Sequence, residues 1–224
     1  MLPDCYSSAH SSDFNKVGAR LPEAREFILS YNQAQSQSEN AQMAFQNRWY
    51  GNATADVSSK LTRHFFFLFN RLPGHFPLLR NYMQSSESTA FPIINHFYLL
   101  LADPYYRWAA SDYLPERSQA LQLEMMRDPF VDGLNRKLPP SMGAGTVLRY
   151  ARNLLTALRD NGLLVGKVKK RISSPTLSCR SLAYMLYALS DCGVGANEFD
   201  GSPLFRSLLK PRELFVPLFQ EGER

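Results

Sequence analysis

The chain has 224 residues, 45% of them hydrophobic, which is enough to bury one sizeable core or two small ones. Three cysteines do not make a disulfide framework in a chain of this length, so a disulfide-rich secreted domain is excluded and a reducing, cytoplasmic compartment is favoured. The longest apolar runs, 65–69 and 97–102, fall far short of the roughly 20 residues that a membrane-spanning helix needs, so we expect no membrane partner.

The amino-terminal half is predicted to be a flexible tail followed by a helical bundle. Residues 1–17 are rich in serine and contain neither the basic nor the apolar region of a signal peptide. Over 18–115, apolar residues recur mostly at helical spacing. The helices predicted there lie within 19–33, at about 38–49, from Ser58 or Ser59 onward, at 76–84 and at 91–101.

The third of these helices is predicted to be the centre of the bundle, because its apolar residues cover most of its circumference. Those residues are Leu61, Phe65, Phe66, Leu68, Phe69 and Leu72. A further helix is predicted to begin at Asp103 and Pro104, since aspartate caps helices well and proline suits the first helical turn. Its predicted inner face consists of Tyr105, Trp108, Ala109 and Tyr113.

The part from residue 116 onward is predicted to resemble a winged helix-turn-helix. The expected elements are a helix at 117–138, a proline- and glycine-rich break at 139–145, a helix at 146–160 ended by Asn161 and Gly162, and a short β-hairpin within 164–172. A helix at 178–191 and two short helical pieces within 202–219 are expected to follow. In a winged helix-turn-helix, the second helix enters the major groove and the hairpin touches the neighbouring backbone.

These patterns predict a mainly α protein. It would consist of a flexible tail at 1–17, a helical bundle domain at 18–115, and a winged-helix-like DNA-binding domain with carboxy-terminal helices at 116–224. The division rests on the change of composition after Pro115, where proline, glycine and basic residues become frequent.

Positive charge is concentrated in the segment 136–171, which contains nine basic residues and a single acid, Asp160. The rest of the chain carries more acids than bases, so the overall charge of +5 comes from this segment. A field confined to one segment attracts a polyanion to one face of a protein, whereas scattered charges mainly keep it soluble. Nucleic acid is therefore the first partner to consider.

The helix predicted at 146–160 divides into an apolar and a basic face. Val147, Ala151, Leu154, Leu155 and Leu158 recur at spacings of three and four, which leaves Thr146, Arg149, Arg152, Asn153, Thr156 and Arg159 on the other side. Arginine can bond guanine through two parallel hydrogen bonds, and asparagine can do the same for adenine. Arg149, Arg152 and Asn153 are therefore the candidates for base contact.

The lysines of the predicted hairpin are better suited to phosphates, whose neutralisation releases counterions and makes binding depend on salt. The complete predicted DNA-binding set is Arg136, Lys137, Thr146, Arg149, Arg152, Asn153, Arg159, Lys167, Lys169, Lys170 and Arg171.

The basic segment is also compatible with roles that do not involve DNA. An amphipathic helix normally carries charge on its solvated face, and the KVKKR run at 167–171 is also typical of a soluble loop or a protected edge strand. The same bases can dock on an acidic surface of a larger protein complex, which would make the protein an interaction adaptor. RNA is a further alternative, because electrostatic attraction alone does not distinguish the two nucleic acids.

Catalytic patterns are weaker than the charge pattern. The histidines His10, His64, His75 and His96 are scattered, and none of them has a cysteine or carboxylate at metal-binding spacing. Cys179 and Cys192 are too far apart for a redox CxxC motif and are expected to be small buried residues. No nucleophile with an adjacent base and no carboxylate pair stands out, so we expect no enzymatic activity, metal or cofactor.

Three segments, 52–83, 102–114 and 141–164, carry a resemblance to a known family. The shared features are helix lengths, the RLP at 71–73, and an SxxxxT pattern followed by an ending of the form LxxxGLL. The matching positions are Ser141, Thr146, Leu158, Gly162, Leu163 and Leu164. In order and spacing the segments are similar to the BrxA-like accessory proteins of bacteriophage-exclusion (BREX) defence systems.

This resemblance implies an all-helical amino-terminal domain and a winged-helix-like carboxy-terminal part. It also implies binding of double-stranded DNA without known catalysis, and work alongside the methyltransferase and ATPase of the defence system.

Overall fold

The computed structural model describes residues 3–9, 18–85 and 90–210. Within these ranges the protein is mainly helical and has one small antiparallel sheet of three strands. The helices are α1 (Leu21–Ser30), α2 (Gln37–Gln46), α3 (Ala55–Phe69), α4 (Phe76–Gln84), α5 (Phe91–Ala102), α6 (Pro104–Trp108), α7 (Leu114–Gln119), α8 (Arg127–Asn135), α9 (Ala144–Asp160), α10 (Cys179–Asp191) and α11 (Pro203–Ser207). The strands are β1 (Glu124–Met125), β2 (Leu164–Val165) and β3 (Lys170–Ile172). Across the described ranges, none of the helices is sufficiently long and apolar to cross a membrane.

Two of the amino-terminal helices, α2 and α3, begin at residues whose side chains cap them. Ser36 and Glu39 form a reciprocal capping box at the start of α2, which satisfies two backbone N–H groups that have no partner inside the helix. Thr54 caps α3 through the backbone N–H of Val57, so this helix begins at Ala55, before the predicted start at Ser58 or Ser59. The cap, and not the first apolar residue, fixes where the helix starts.

The centre of the helical core is α5, and the prediction that α3 occupies this place is wrong. Every residue of α5 except Pro92 is buried, whereas α3 leaves several of its residues exposed or half-buried. Two polar residues lie inside α5, and both form hydrogen bonds there. Asn95 donates to Asn161 at 3.0 Å, and His96 bonds Tyr106 at 2.9 Å and Ser207 at 2.8 Å. These bonds hold the amide nitrogen of Asn95 and both ring nitrogens of His96, which helps the helix to be enclosed on all sides.

Asp103 connects the start of α6 to α9. Its buried carboxylate accepts hydrogen bonds from the backbone N–H groups of Tyr105 and Tyr106, as the sequence predicted for a capping aspartate. The hydroxyl of Tyr150 in α9 donates a third hydrogen bond to it, at 2.8 Å. Burial raises the pKa of the Tyr150 phenol far above its ordinary value, so the group remains a neutral donor to the carboxylate. These bonds fix the orientation of α9 against the core.

Residues 104–119 form a continuous helix that contains a π-turn at Ala109–Tyr113 between α6 and α7. The small buried residues Ala109, Ala110 and Ser111 lie in this turn, where α11 packs against it. The predicted inner face is therefore only partly right. Ala109 is buried, but Tyr105, Trp108 and Tyr113 are half-buried, and the last two contact Phe130 of α8.

The helix predicted at 117–138 is interrupted. The chain leaves α7 at Gln119, Leu121 adopts a left-handed conformation with φ of 56°, and residues 124–125 then form strand β1 before α8 begins at Arg127. An L-residue at positive φ cannot continue a right-handed helix, so a turn at Leu121 separates the two helices. A break between the two helices was predicted, but it spans 136–143 and not 139–145, because α8 ends at Asn135 and α9 begins at Ala144, two residues before the predicted start at Thr146.

The predicted β-hairpin is present as β2 and β3, which are antiparallel with Leu164 opposite Ile172. Strand β1 adds a third strand, since Met125 pairs with Lys170 and gives the order β1-β3-β2. The hairpin turn begins at Gly166, whose φ is +93°. A Cβ atom at this position would lie 2.1 Å from the carbonyl oxygen of Lys169, so the tight turn requires glycine.

Replacing Gly166 with alanine is expected to distort the hairpin turn without unfolding the protein. Both the positive φ and the close approach to Lys169 oppose a side chain, and such strain typically costs about 1–3 kcal/mol. Amide hydrogen exchange should therefore accelerate at Ser173, whose N–H donates to the carbonyl of Leu163 at 3.0 Å across the base of the hairpin. Gly74→Ala is the matched control, because a Cβ atom there meets nothing within 4 Å. Equal exchange at Ser173 in the two variants would contradict this role of Gly166.

The described part of the predicted tail, residues 3–9, lies against the body of the protein. The backbone N–H of Ser7 donates to Leu101 at 2.7 Å, and the buried Arg107 donates to the carbonyl of Ser7 at 2.7 Å. Residues 10–17 and the last predicted helical piece, after residue 210, lie outside the described residues. The hydrophobic core extends from Cys5 to Leu208 and includes residues from both sides of position 115. The predicted domain boundary there remains a prediction.

Candidate nucleic-acid interface

A groove between α9 and the hairpin contains several of the predicted DNA-binding residues, and we call it the basic groove. Arg149 and Arg152 of α9 form one wall, Lys170 and Val168 of the hairpin form the other, and Arg127 lies at the end where β1 meets α8. The remaining lining residues are Met125, Gly145, Leu148, Leu155 and Thr156. The groove encloses about 500 Å³, and none of these residues is an acid.

The position of the groove follows from the amphipathic pattern of α9. Its apolar residues Val147, Ala151, Leu154 and Leu158 are buried against the core, as the sequence predicted. Residues spaced three and four apart lie on one side of a helix, so Gly145, Arg149, Arg152 and Thr156 face outward together. This outward face meets the hairpin that follows α9, because Gly162, with φ of +85°, turns the chain back directly after the helix.

The cations of the groove are available for an external anion. Among the described residues, the guanidinium groups of Arg149 and Arg152 make no ion pair, and both residues are exposed. The ammonium of Lys170 donates to the carbonyl of Lys167 at 3.0 Å, which holds it within the hairpin without neutralising its charge. Arg127 pairs with Asp128 at 3.1 Å, but both side chains are largely exposed, and an exposed pair of this kind is weak.

The other predicted residues of the hairpin lie outside the groove but beside it. Lys167, Lys169 and Arg171 are exposed, and successive residues of a strand point to opposite faces, so Arg171 faces away from Lys170. Val168 stands between the two lysines at the tip and is 93% exposed. The hairpin therefore presents an apolar tip surrounded by positive charge.

Five further predicted residues do not line the groove. Thr146 and Asn153 are half-buried on the flank of α9. Arg159 forms an ion pair with Asp160 at 2.7 Å, and both line a separate cleft of about 390 Å³ near Ile93. Arg136 and Lys137 are exposed after the end of α8. The single acid of the basic segment thus pairs with an arginine that lies outside the groove.

Arg127 was missed by the sequence reasoning because it lies outside the basic segment and is followed by an acid. The signal that identifies it is structural, since β1 brings it beside Lys170 through the pairing of Met125 with that residue. The exposed apolar side chains near the groove were missed as well. Leu148 and Val168, which line it, are 50% and 93% exposed, and Met126, next to Arg127 in the chain, is 59% exposed.

The described residues contain no group of three or more His, Cys, Asp or Glu side chains placed to hold a metal ion. His96 and Ser207 are hydrogen-bonded at 2.8 Å, but both are fully buried, so a substrate could not reach them. Burial lowers the pKa of His96 to about 3, and the imidazole is neutral at physiological pH. This histidine therefore belongs to the core.

No protein-family model matches the chain, and a search of curated proteins finds no similar sequence. The function of the protein is therefore inferred from the geometry and charge of the basic groove.

Proposed function

We propose that the protein binds double-stranded DNA in the basic groove and is not an enzyme. The observation that carries this proposal is the convergence of Arg127, Arg149, Arg152 and Lys170 on a groove that no acid lines. These four residues come from three separate parts of the chain. Cations held together on one exposed surface attract a polyanion much more strongly than the same charges distributed over a protein.

We further propose that α8, the turn after it, α9 and the hairpin act as a winged helix-turn-helix. In this arrangement α9 enters the major groove, with Arg149 and Arg152 reaching base edges, while Lys167 and Lys169 contact phosphates of the flanking backbone. The observed order of helix, turn, helix and hairpin supports this assignment, as does the exposure of the lysines at the hairpin tip.

The cellular role proposed for this binding is that of an accessory protein in a prokaryotic phage-defence system of the BREX type. It rests on the resemblance of residues 52–83, 102–114 and 141–164 to the BrxA-like proteins. In that setting, the methyltransferase and ATPase of the system are the candidate protein partners.

The salt dependence of binding to a short DNA duplex tests the proposal. Affinity should fall as salt rises, with a slope in log–log form of roughly −0.9 for each phosphate neutralised. A variant with Lys167, Lys169, Lys170 and Arg171 changed to alanine should bind more weakly and show a shallower slope, because as many as four contacts are lost. An unchanged affinity and slope would remove the hairpin from the interface, and no duplex binding at about 50 mM salt would overturn the proposal.

Binding of a DNA duplex and of an RNA duplex can be compared to distinguish recognition of the major groove from attraction to phosphates alone. The major groove of an RNA duplex is too narrow for a helix, so α9 could not enter it as it enters DNA. A DNA duplex should therefore compete much better than an RNA duplex of the same length and sequence. Equal competition would indicate that only phosphates are contacted.

A second candidate function is that of a protein-interaction adaptor whose basic groove docks on an acidic surface of a larger complex. The exposed apolar residues Met126, Leu148 and Val168 favour it, because phosphates offer no partner for such side chains. Purification from the native operon distinguishes the two functions. A complex that persists in high salt and nuclease, together with no binding of DNA by the isolated protein, would establish the adaptor.

A further inference from the structure

Leu148 is a large apolar residue of α9 that the protein core does not cover. The other large apolar side chains of this helix, from Val147 to Leu158, are buried. Leu148 is exposed and lines the basic groove, with Arg149 beside it in the chain and Arg152 about one turn further along α9. Packing within the protein therefore does not account for an apolar side chain at this position.

The helix holds Leu148 close to an arginine of the groove. Residues 148 and 152 are four positions apart, so their side chains are neighbours on one face of α9, with Cβ atoms about 5–6 Å apart. Successive bases of a DNA strand are about 3.4 Å apart along the duplex axis. A base that Leu148 contacts therefore lies one or two base pairs from a base that Arg152 contacts.

The major groove of DNA offers an apolar group that such a leucine can contact. Thymine presents its C5-methyl group there, whereas guanine presents the acceptors O6 and N7. An arginine can bond both guanine acceptors, and an apolar side chain can pack against the thymine methyl group. Leu148 and Arg152 together therefore have the chemistry to recognise a thymine close to a guanine.

We propose that Leu148 gives the basic groove a preference for thymine within one or two base pairs of a guanine, through contact with the thymine methyl group. This inference rests on the proposed entry of α9 into the major groove, and it names the bases that this helix recognises. Contacts to phosphates carry no sequence information directly, so the discrimination comes from base contacts such as this one. Because Leu148 is uncharged, it affects the choice of DNA site and not the salt dependence of binding.

Replacing thymine with uracil in the DNA tests this contact without changing the protein. The probe is a duplex in which thymine and guanine alternate along one strand, so every register places a thymine beside a guanine. Uracil forms the same base pair and lacks only the methyl group. We expect the wild-type protein to bind the thymine duplex about fourfold more tightly than the uracil duplex, which is the effect of burying one methyl group.

The Leu148→Ala variant should bind the two duplexes equally, because its side chain no longer reaches the methyl group. Its log–log slope against salt should equal that of the wild type, since no charge is lost. Leu78→Ala is the matched control. Leu78 is an exposed leucine of α4 that does not line the basic groove, so this variant should keep the preference for thymine.

Three results would overturn the proposal, and they differ in what they leave standing. Equal binding of the two duplexes by the wild type would exclude the methyl contact and leave DNA binding intact. A preference that persists in Leu148→Ala would show that the methyl group acts through DNA shape or another residue. Binding of neither duplex at about 50 mM salt would overturn the proposed function as well. If Leu148→Ala does not fold, Leu148→Gln takes its place, because glutamine has a similar length and favours helices.

Discussion

Replacing Arg127, Arg149 and Arg152 together with alanine is expected to weaken the binding of duplex DNA by roughly 500-fold at 0.1 M monovalent salt. The three guanidinium groups line the basic groove, and two of them have no ionic partner among the described residues. If each neutralises one phosphate, their loss makes the salt dependence shallower by about 2.7 units in log–log slope. That difference grows as salt is lowered, so the two proteins should bind almost equally near 1 M and diverge below it.

The matched control removes the same charge from other helices. Arg25, Lys60 and Arg180 belong to α1, α3 and α10, and none of them lines the basic groove. Changing these three residues to alanine lowers the net charge by the same amount, so the control measures the effect of overall charge alone. Fluorescence anisotropy of a labelled duplex across a salt series gives both affinity and slope. A control variant that loses as much affinity as the groove variant would show that binding follows net charge and not the groove.

Acid should destabilise the protein through His96, with a loss of about 2.3 kcal/mol in the free energy of unfolding between pH 6.5 and 4.5 from this residue alone. Burial lowers the pKa of His96 from 6.5 to about 3 in the folded state. As the pH falls through 6.5 the unfolded chain binds a proton at this histidine, whereas the folded protein does not until the pH approaches 3. This stability is therefore complete only well above pH 6.5, and well below it the loss approaches about 1.4 kcal/mol for each unit of pH.

Urea unfolding of the wild type and of His96→Gln at several pH values isolates this contribution. The glutamine side chain can still donate and accept hydrogen bonds next to Tyr106 and Ser207, but it does not titrate. The variant should be less stable than the wild type at pH 7.5, because its bonds fit less well, yet lose less stability on acidification. Parallel pH profiles for the two proteins would show that His96 does not become protonated on unfolding as inferred.

The ends of several helices were predicted correctly where residues close in sequence mark them. Phe76–Gln84 matches its predicted bounds, and Asp103 and Gly162 begin and end helices where their side chains and conformations require it. The hairpin was also predicted, from the apolar residues that are interspersed with basic ones after Gly162. These features depend on residues that are close in sequence, so a single sequence contains the information needed.

Features that depend on distant residues could not be predicted in this way. Strand β1 has only two residues, and its conformation is set by pairing with Lys170 and Arg171, which lie over 40 positions later. The segment 117–138 was therefore predicted to be a single helix. The segment 3–9 is a more extreme case, because nothing near Ser7 in the sequence indicates that its backbone bonds Leu101 and Arg107.

The candidate site shows the same division between local and distant information. The helical spacing of Arg149 and Arg152 correctly placed them together on the exposed face of α9. It did not reveal that Asn153 lies on the flank of that helix, or that Arg159 pairs with Asp160 in another cleft. The composition of the segment 136–171 showed where positive charge is concentrated. It did not show the walls of the basic groove, which depend on how the hairpin packs beside α9.

The pairing of β1 with β3 has a mechanical consequence for the hairpin. A two-stranded hairpin that is joined to a protein only at its base is mobile. A partner that binds it loses part of the binding free energy in ordering it. Here β3 is the middle strand, and its outer neighbour β1 runs directly into α8 at Arg127. We therefore expect the spacing between the hairpin and α9 to be fixed before any partner binds, and targets of one width to bind better than flexible ones.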